Sequence, residues 1–207
     1  MSFLWNRFLA VPGNSNSLLS PAEFFSYPPA LETEDLLLRK PAMKDAKDIF
    51  SYASDPEVAR YVLWEPHKSL ADTRAFLRFL RSRIRNGYPS SWVVVHRDTG
   101  KVIGTIGFVW YSDENRSAEL GYSFARPYWN LGYATQALRA VVDAVFRSIP
   151  LNRLEAQHDI RNPASGRVME KCGFRQEGIL RNRILNKGEY VDAVLYAILR
   201  SDWESCQ

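Results

Sequence analysis

The sequence predicts a mixed α/β (α+β) fold, in which helices flank a central, mixed and mostly antiparallel sheet of about six or seven strands. Two observations carry this prediction. Three β-rich runs separated by short polar turns follow one another between residues 91 and 125, which is typical of an antiparallel meander. A strand, helix, strand order then spans residues 118–159 and favours a parallel pairing through a right-handed crossover. A chain of 207 residues with 46% hydrophobic content suffices for one such domain.

The elements before the meander follow from periodicity and capping. Residues 36–40 (LLLRK) form a short apolar strand, and residues 41–53 space their apolar side chains at helical intervals. Ser69 and Asp72 form a capping box that opens a helix, and Gly87 ends that helix.

The sequence also predicts the three strands of the meander and the elements that follow them. The three strands are expected in the runs SWVVVHR, KVIGTIGFVWYS and AELGYSFA. A helix over residues 133–148 and a strand over residues 153–159 follow. Asn162 caps a helix that Gly173 ends, and the runs FRQEGILRNRIL and YVDAVLYAIL then form a hairpin.

Residues 1–30 are predicted to be an irregular N-terminal extension, because residues 11–30 are rich in Pro, Ser, Gly and Asn and show no sustained period. The folded domain is expected to span residues 31–204. The aromatic side chains Phe24 and Phe25 leave open whether the extension packs on its own domain or on another subunit, so both a monomer and a homodimer remain possible.

Composition and charge argue against several classes of function. The net charge is +4, but acidic and basic residues are mixed along the chain, so no specific nucleic-acid partner is indicated. Cys172 and Cys206 have neither disulfide nor metal spacing, so no metal is expected. The start lacks the features of a secretion signal, and no apolar run approaches the roughly 20 residues of a membrane span. We therefore expect a cytoplasmic protein with no membrane partner.

The junction between the third meander strand and the next helix is a candidate anion site. Residues 126–135 (RPYWNLGYAT) lead through Gly132 into the helix, whose first backbone N–H groups have no intrahelical partner and lie at the positive end of the helix dipole. By spacing alone the signal is weak, since many glycines before helices only turn the chain. The excess of Arg and Lys after residue 160 suits a phosphorylated ligand or a solvated basic face equally.

Several ordered motifs together resemble a known family. The runs ELGYSFARPYWNLGYATQALRAVVDAVF, NPASGRVMEKCGF and EGILRNRILNKGEYVDAVLYAILRSDW, with GKVIGTIGF before them, are similar to the GNAT superfamily of N-acetyltransferases, and specifically to its RimJ/RimL-type branch. The likeness covers residues 31–203. It implies a GNAT fold with a splayed pair of parallel strands, here residues 118–125 and 153–159.

The resemblance implies acetyl-coenzyme A as co-substrate, lying in the gap between these two strands. Pantetheine contacts then fall on the backbone from Phe124 through Ala125 to Arg126, and Asn162 and Ser165 line the thiol side. The pyrophosphate falls on the start of the helix, at Asn130, Leu131, Gly132, Tyr133, Ala134 and Thr135.

This chain departs from the branch in the phosphate loop. The branch commonly has Trp-Gly-Lys-Gly-Tyr-Ala, and here residues 129–134 are Trp-Asn-Leu-Gly-Tyr-Ala. The change removes one glycine and one positive charge. Arg167 and Lys171, or Arg126, are expected to compensate for the lost charge.

The acceptor amine must lose a proton before it attacks, because α-amino groups have a pKa of about 8 and lysines one of about 10. Glu119 is the first candidate for the base, since it stands in an apolar strand where burial raises a carboxyl pKa. The alternative is a structural ion pair. His158 is the rival base, or else an exposed residue at the end of a strand.

The acid that protonates the departing thiolate is less defined. Many GNAT enzymes have a tyrosine where this chain has Met169, and the RimJ/RimL-type branch has a serine that Ser165 matches. Ser165 is equally suited to satisfying the start of its helix.

The resemblance implies an acetyltransferase acting on a primary amine, most simply a protein N-terminal α-amino group of the ribosomal-protein kind. Two alternatives remain: acetylation of a small-molecule amine such as an antibiotic or polyamine, and a non-catalytic domain that binds coenzyme A or a protein partner. The loops at residues 64–67 and 186–190 are expected to line the acceptor groove.

Overall fold

The computed structural model describes residues 18–206, which fold around one eight-stranded sheet. The spatial order of the strands is β1-β2-β3-β4-β5-β6-β8-β7. The strands are β1 (Leu31–Glu32), β2 (Leu36–Arg39), β3 (Ser91–His96), β4 (Val102–Ser112), β5 (Ser117–Phe124), β6 (Arg153–Asp159), β7 (Arg175–Asn186) and β8 (Glu189–Leu199). The helices are α1 (Pro21–Ser26), α2 (Ala46–Ala53), α3 (Pro56–Ala59), α4 (Leu70–Arg85), α5 (Tyr133–Ser148), α6 (Pro163–Lys171) and α7 (Arg200–Glu204).

The sheet is antiparallel except for the β5–β6 pair, which is parallel. Strands β3, β4 and β5 form the expected meander, and α5 makes the crossover from β5 to β6. The predicted mixed, mostly antiparallel sheet with one parallel pair is therefore confirmed. The eighth strand is the two-residue β1, which is too short to show a period in the sequence.

Two apolar clusters lie on opposite faces of the sheet. The larger cluster joins α1, α5 and α6 to the strands, with Leu138 and Val141 of α5 fully buried. The smaller cluster packs α2 and α4 on β3 and β4, with Leu77 fully buried. Within residues 18–206 this smaller cluster includes no residue of β6, β7 or β8. The apolar packing of the helices on this second face therefore does not extend to the β6–β8 half of the sheet.

The segment before residue 31 differs from the sequence prediction. Residues 21–26 form helix α1, closed at its start by a capping box between Ser20 and Glu23. Phe24 and Phe25 of this helix are buried in the main core. The prediction of an irregular extension is wrong for these residues, because two aromatic side chains on a single helical turn supply too short a pattern to recognise. Residues 1–17 lie outside the described part of the chain.

The two longest helices begin where the sequence predicts. The Ser69–Asp72 capping box opens α4 as predicted, and α5 begins after Gly132, whose φ of 85° lies in the left-handed region. Helices α3 and α7 have only four and five residues, and the sequence analysis does not detect them. In the described range 18–206 no helix combines the length and the hydropathy that a membrane crossing requires.

Candidate active site

The two parallel strands separate at one end. Their last paired residues are Glu119 of β5 and Glu155 of β6. Beyond them β5 continues to pair only with β4, and β6 only with β8. A gap therefore opens between residues 120–124 and 156–159, and its apex is at Glu119. This is the splayed pair that the sequence analysis places at these strands.

Glu119 lies on the face of the sheet opposite the main core. Its neighbours Ala118 and Leu120 point into the main core, so the alternation of a strand sends Glu119 to the opposite side. The side chain is 7% exposed. Its Oε2 accepts a hydrogen bond from Trp110 Nε1 at 2.5 Å, and its Oε1 accepts one from Gln157 Nε2 at 3.1 Å.

A β-bulge in β4 creates the contact with Trp110. Phe108 pairs with Leu120, but the next pair is Trp110 with Glu119, so Val109 is the extra residue. In an unbulged strand Trp110 would point to the same face as Phe108, which lies in the main core. The bulge therefore turns the indole to the face that carries Glu119.

The surroundings of Glu119 change its acidity in a direction that suits a base. Burial raises the pKa of this carboxyl above its usual range, while the hydrogen bonds from Trp110 and Gln157 act in the opposite direction. The neighbouring Glu155 adds to the rise, and the positive charge of Arg183 opposes it. The net effect is a raised pKa for Glu119, which brings it closer to the pKa of an amine.

Ser165 lies on the other side of the sheet, next to a tyrosine. Its Oγ is 2.9 Å from the hydroxyl of Tyr122, and that hydroxyl also donates to the Ser165 carbonyl oxygen at 2.9 Å. Tyr122 therefore reaches from β5 to α6 across the gap. Burial raises the pKa of Tyr122, so this hydroxyl serves as a hydrogen-bond donor and not as a source of free protons.

The structure separates the two candidate bases. His158 points toward α6, where a Cβ added to Gly166 would lie 2.8 Å from its Nε2. The ring is 8% exposed, and its Nδ1 lies 2.8 Å from the backbone oxygen of Asp159. The reading of His158 as an exposed strand end is wrong, because α6 covers it. The two side chains therefore lie on opposite faces of the sheet, with Glu119 on the face away from α6.

The loop before α5 has the backbone that an anion site requires. Asn130 and Gly132 have φ values of 61° and 85°, and α5 has no side-chain cap at its N-terminus. The first N–H groups of the helix are thus left to other partners. A Cβ on Gly132 would meet no atom within 4 Å, so no distant part of the described chain crowds this glycine.

Two side chains near this loop already have polar partners. The hydroxyl of Tyr133 is 3.0 Å from His96 Nε2, and Arg126 forms an ion pair with Asp55 at 3.1 Å. Arg126 is therefore the weakest of the three residues expected to replace the missing lysine. Arg167 and Lys171 are exposed on α6, and in the described range their side chains form no ion pair.

Some of the backbone expected to bind pantetheine already has partners. The carbonyl oxygen of Phe124 accepts a hydrogen bond from Trp129 Nε1 at 2.7 Å, and the N–H of Ala125 donates to the Ile103 oxygen at 2.7 Å. Trp129 thus ties the loop before α5 to the end of β5. A carbonyl oxygen has a second lone pair, so Phe124 keeps one acceptor position.

The family model described as "Acetyltransferase (GNAT) domain" matches residues 35–175. A curated relative, the uncharacterized N-acetyltransferase p20 of Bacillus licheniformis, is 32% identical over 173 residues, which are 84% of this chain and 97% of the relative. The chain belongs to the GNAT acetyltransferase family. The resemblance found in the sequence is thereby confirmed.

Of two further comparisons, the first supports the RimJ/RimL-like branch of the GNAT family and the second supports the fold. The ribosomal-protein-serine acetyltransferase of Escherichia coli is 29% identical over 130 residues, covering 63% of this chain and 72% of the relative. A solved structure of RimL, a ribosomal-protein α-N-acetyltransferase in complex with coenzyme A, has a TM-score of 0.75 at 19% identity, covering 82% of this chain and 97% of that one. At this identity the second likeness shows the shared GNAT fold.

The loops expected around the acceptor groove of this GNAT enzyme have different roles. Trp64 is half-buried and packs against the cluster beneath α2 and α4. The turn between β7 and β8 is anchored, because Lys187 Nζ donates to the backbone oxygens of Ala59 at 2.7 Å and Val62 at 2.9 Å. Tyr190, 68% exposed, is left on the surface of this hairpin.

Sequence analysis misses three side chains of this GNAT site. The position of Trp110 depends on the bulge at Val109, which the sequence pattern does not predict. Tyr122 stands within the motif ELGYSF, but its contact with α6 depends on the packing of that helix. Gln157 is two residues from Glu155 on β6, and strand alternation is the signal that places both on one face.

Proposed function

We propose that this GNAT enzyme transfers the acetyl group of acetyl-coenzyme A to a primary amine, and that the acceptor is a protein N-terminal α-amino group of the ribosomal-protein kind. One observation carries the proposal. A buried carboxylate, Glu119, stands at the apex of the gap between β5 and β6, on the face of the sheet opposite the main core. Hydrogen bonds from Trp110 and Gln157 hold it in place.

The reaction is a direct attack. The protonated amine gives one proton to Glu119, and its neutral nitrogen then attacks the carbonyl carbon of the thioester. A C–N bond forms and the C–S bond breaks, and coenzyme A leaves as a thiolate that takes up the second proton from the nitrogen to become the thiol. The hydroxyl pair of Tyr122 and Ser165 lies on the opposite side of the sheet, where it stabilises the thiolate by hydrogen bonding. Positioning of the two substrates supplies a further part of the rate.

Binding of acetyl-coenzyme A rests on two features. The phosphates accept hydrogen bonds from the uncapped N–H groups at the start of α5, with Arg167 and Lys171 adding positive charge. The pantetheine lies along β5 beyond Glu119, where β6 no longer pairs. The RimL structure contains coenzyme A, which supports a related site here.

The choice of acceptor follows from the family. The Escherichia coli relative is a ribosomal-protein-serine acetyltransferase by name, which supports a protein acceptor here. A small-molecule amine is the second candidate, to be compared in the same assay.

The test is an assay of thiol release from acetyl-coenzyme A with N-terminal peptides, polyamines and aminoglycosides. Wild-type protein should acetylate peptides. Glu119→Gln should lower kcat/KM by roughly 100-fold or more, the usual contribution of a general base, with unchanged affinity for coenzyme A. The matched control is Glu114→Gln, at an exposed glutamate in the β4–β5 turn, which should keep full activity. Equal activity of Glu119→Gln and wild type would contradict the mechanism.

A further inference from the structure

The amide of Gln157 has one satisfied end and one unsatisfied end. Its Nε2 donates to Glu119, but its Oε1 is buried and accepts no hydrogen bond. Across residues 18–206 only one other buried side-chain atom shares this condition, the hydroxyl of Tyr52. A buried acceptor without a partner is unfavourable, so such an atom calls for an explanation.

The orientation of this amide is not arbitrary. The opposite rotamer would place Oε1 against the carboxylate of Glu119, which repels it when ionised. Nε2 of Gln157 therefore faces the Glu119 carboxylate, and Oε1 of Gln157 is directed away from it. Gln157 also lies two residues beyond the last β5–β6 pair, on the same face as Glu155 and Glu119. Its free oxygen thus belongs to the amide that contacts Glu119, just beyond the apex of the gap.

The pair of groups suits a nitrogen that carries more than one hydrogen. An ammonium group gives one proton to Glu119 and keeps others, one of which can be donated to Gln157 Oε1. A hydroxyl acceptor has a single hydrogen, and once that is directed to Glu119 nothing remains for Gln157. A side chain with one donor and one acceptor end therefore distinguishes the two kinds of acceptor.

We propose that Gln157 Oε1 binds the acceptor amine, which makes Gln157 a specificity-determining residue that selects nitrogen over oxygen acceptors. The inference rests on the proposed function. Gln157 then has two separate roles: Nε2 positions the base, and Oε1 receives the substrate. Trp110 has only the first of these roles, because its indole N–H donates and cannot accept.

Three variants separate the two roles. Gln157→Leu removes both ends of the amide, Gln157→Glu keeps an acceptor oxygen, and Trp110→Phe removes a donor to Glu119 without touching the acceptor site. The acceptor is the most active member of a panel of tripeptide amides with free N-termini. The same peptide with its amine replaced by a hydroxyl serves as a competitive inhibitor.

Gln157→Leu should raise the KM for the peptide about tenfold and leave the KM for acetyl-coenzyme A unchanged, whereas Gln157→Glu and Trp110→Phe should keep the peptide KM within about threefold. The Ki of the hydroxyl analogue should be the same for Gln157→Leu and wild type. An equal rise in KM for all three variants would show that Gln157 only positions Glu119, and an unchanged KM for Gln157→Leu would equally overturn the inference. Failure of the wild type to acetylate any amine would instead overturn the proposed function.

Discussion

The indole N–H of Trp110 and the carboxylate of Glu119 are joined by a hydrogen bond between paired residues of β4 and β5. The bond exists because the bulge at Val109 brings Trp110 to the face of the sheet that carries Glu119, the proposed base. A side-chain donor on one strand thus holds the carboxylate on the next strand and opposes the rise in its pKa.

Trp110→Phe keeps an aromatic ring but removes the donor. The hydrogen bond from Trp110 favours the ionised form of Glu119, so its loss should raise the pKa of this carboxyl further. Because the base must be ionised to accept a proton, the low-pH limb of kcat/KM should move to higher pH. A pH profile of both proteins with one amine substrate measures the shift, and the ionisation of the amine cancels in the comparison. A limb that stays in place or moves to lower pH would contradict this assignment.

Arg183→Ala tests the electrostatic contribution of the exposed strand β7. The positive charge of Arg183 lowers the pKa of Glu119, but less than Trp110 does. Its removal should therefore shift the same limb to higher pH by a smaller amount than Trp110→Phe. Since Arg183 is exposed, raising the ionic strength should reduce the difference from wild type. Arg181→Ala, on the same strand, is the matched control and should shift the limb less.

The sequence predicted the long elements and the backbone of the site more reliably than the side-chain contacts. The helix over residues 133–148 and the strand over residues 153–159 have strong periods, and the structure places both at the same residues. The neighbours of Glu119 were not predictable, since Trp110 depends on a one-residue bulge and Gln157 on the place where two strands separate. Both are properties of pairing between distant segments, which local periodicity does not contain.

Gly132→Ala tests the anion site at the start of α5. Gly132 has a φ of 85°, and an L side chain in that region costs about 1–2 kcal/mol of stability. The variant should also move the first N–H groups of α5 and weaken coenzyme A binding by about tenfold. Gly100→Ala is the matched control, because Gly100 has a φ of 66° and equally open surroundings but lies in the β3–β4 turn. Thermal denaturation should show a similar loss for both, and titration calorimetry should show weaker binding only for Gly132→Ala. Equal coenzyme A affinities would remove the phosphate role from this loop.

Phe24→Ala tests whether helix α1 belongs to the folded domain. Phe24 is fully buried, with its ring centroid 6.2 Å from that of Trp92 and 6.4 Å from that of Phe108 in edge-to-face contacts. Removing such a ring should lower the free energy of unfolding by about 3–5 kcal/mol, since the surrounding strands cannot close the cavity. Tyr27→Ala, one residue beyond the same helix, removes a ring that is 77% exposed and contacts only the charge of Lys40 among the described aromatic and cation contacts. That control should change the free energy by about 1 kcal/mol or less. Urea denaturation of both variants measures the two losses in the free energy of unfolding. A similar small loss for both would mean that helix α1 contributes little to the stability of the domain. A large loss for Phe24→Ala alone would mean that the acetyltransferase core includes α1.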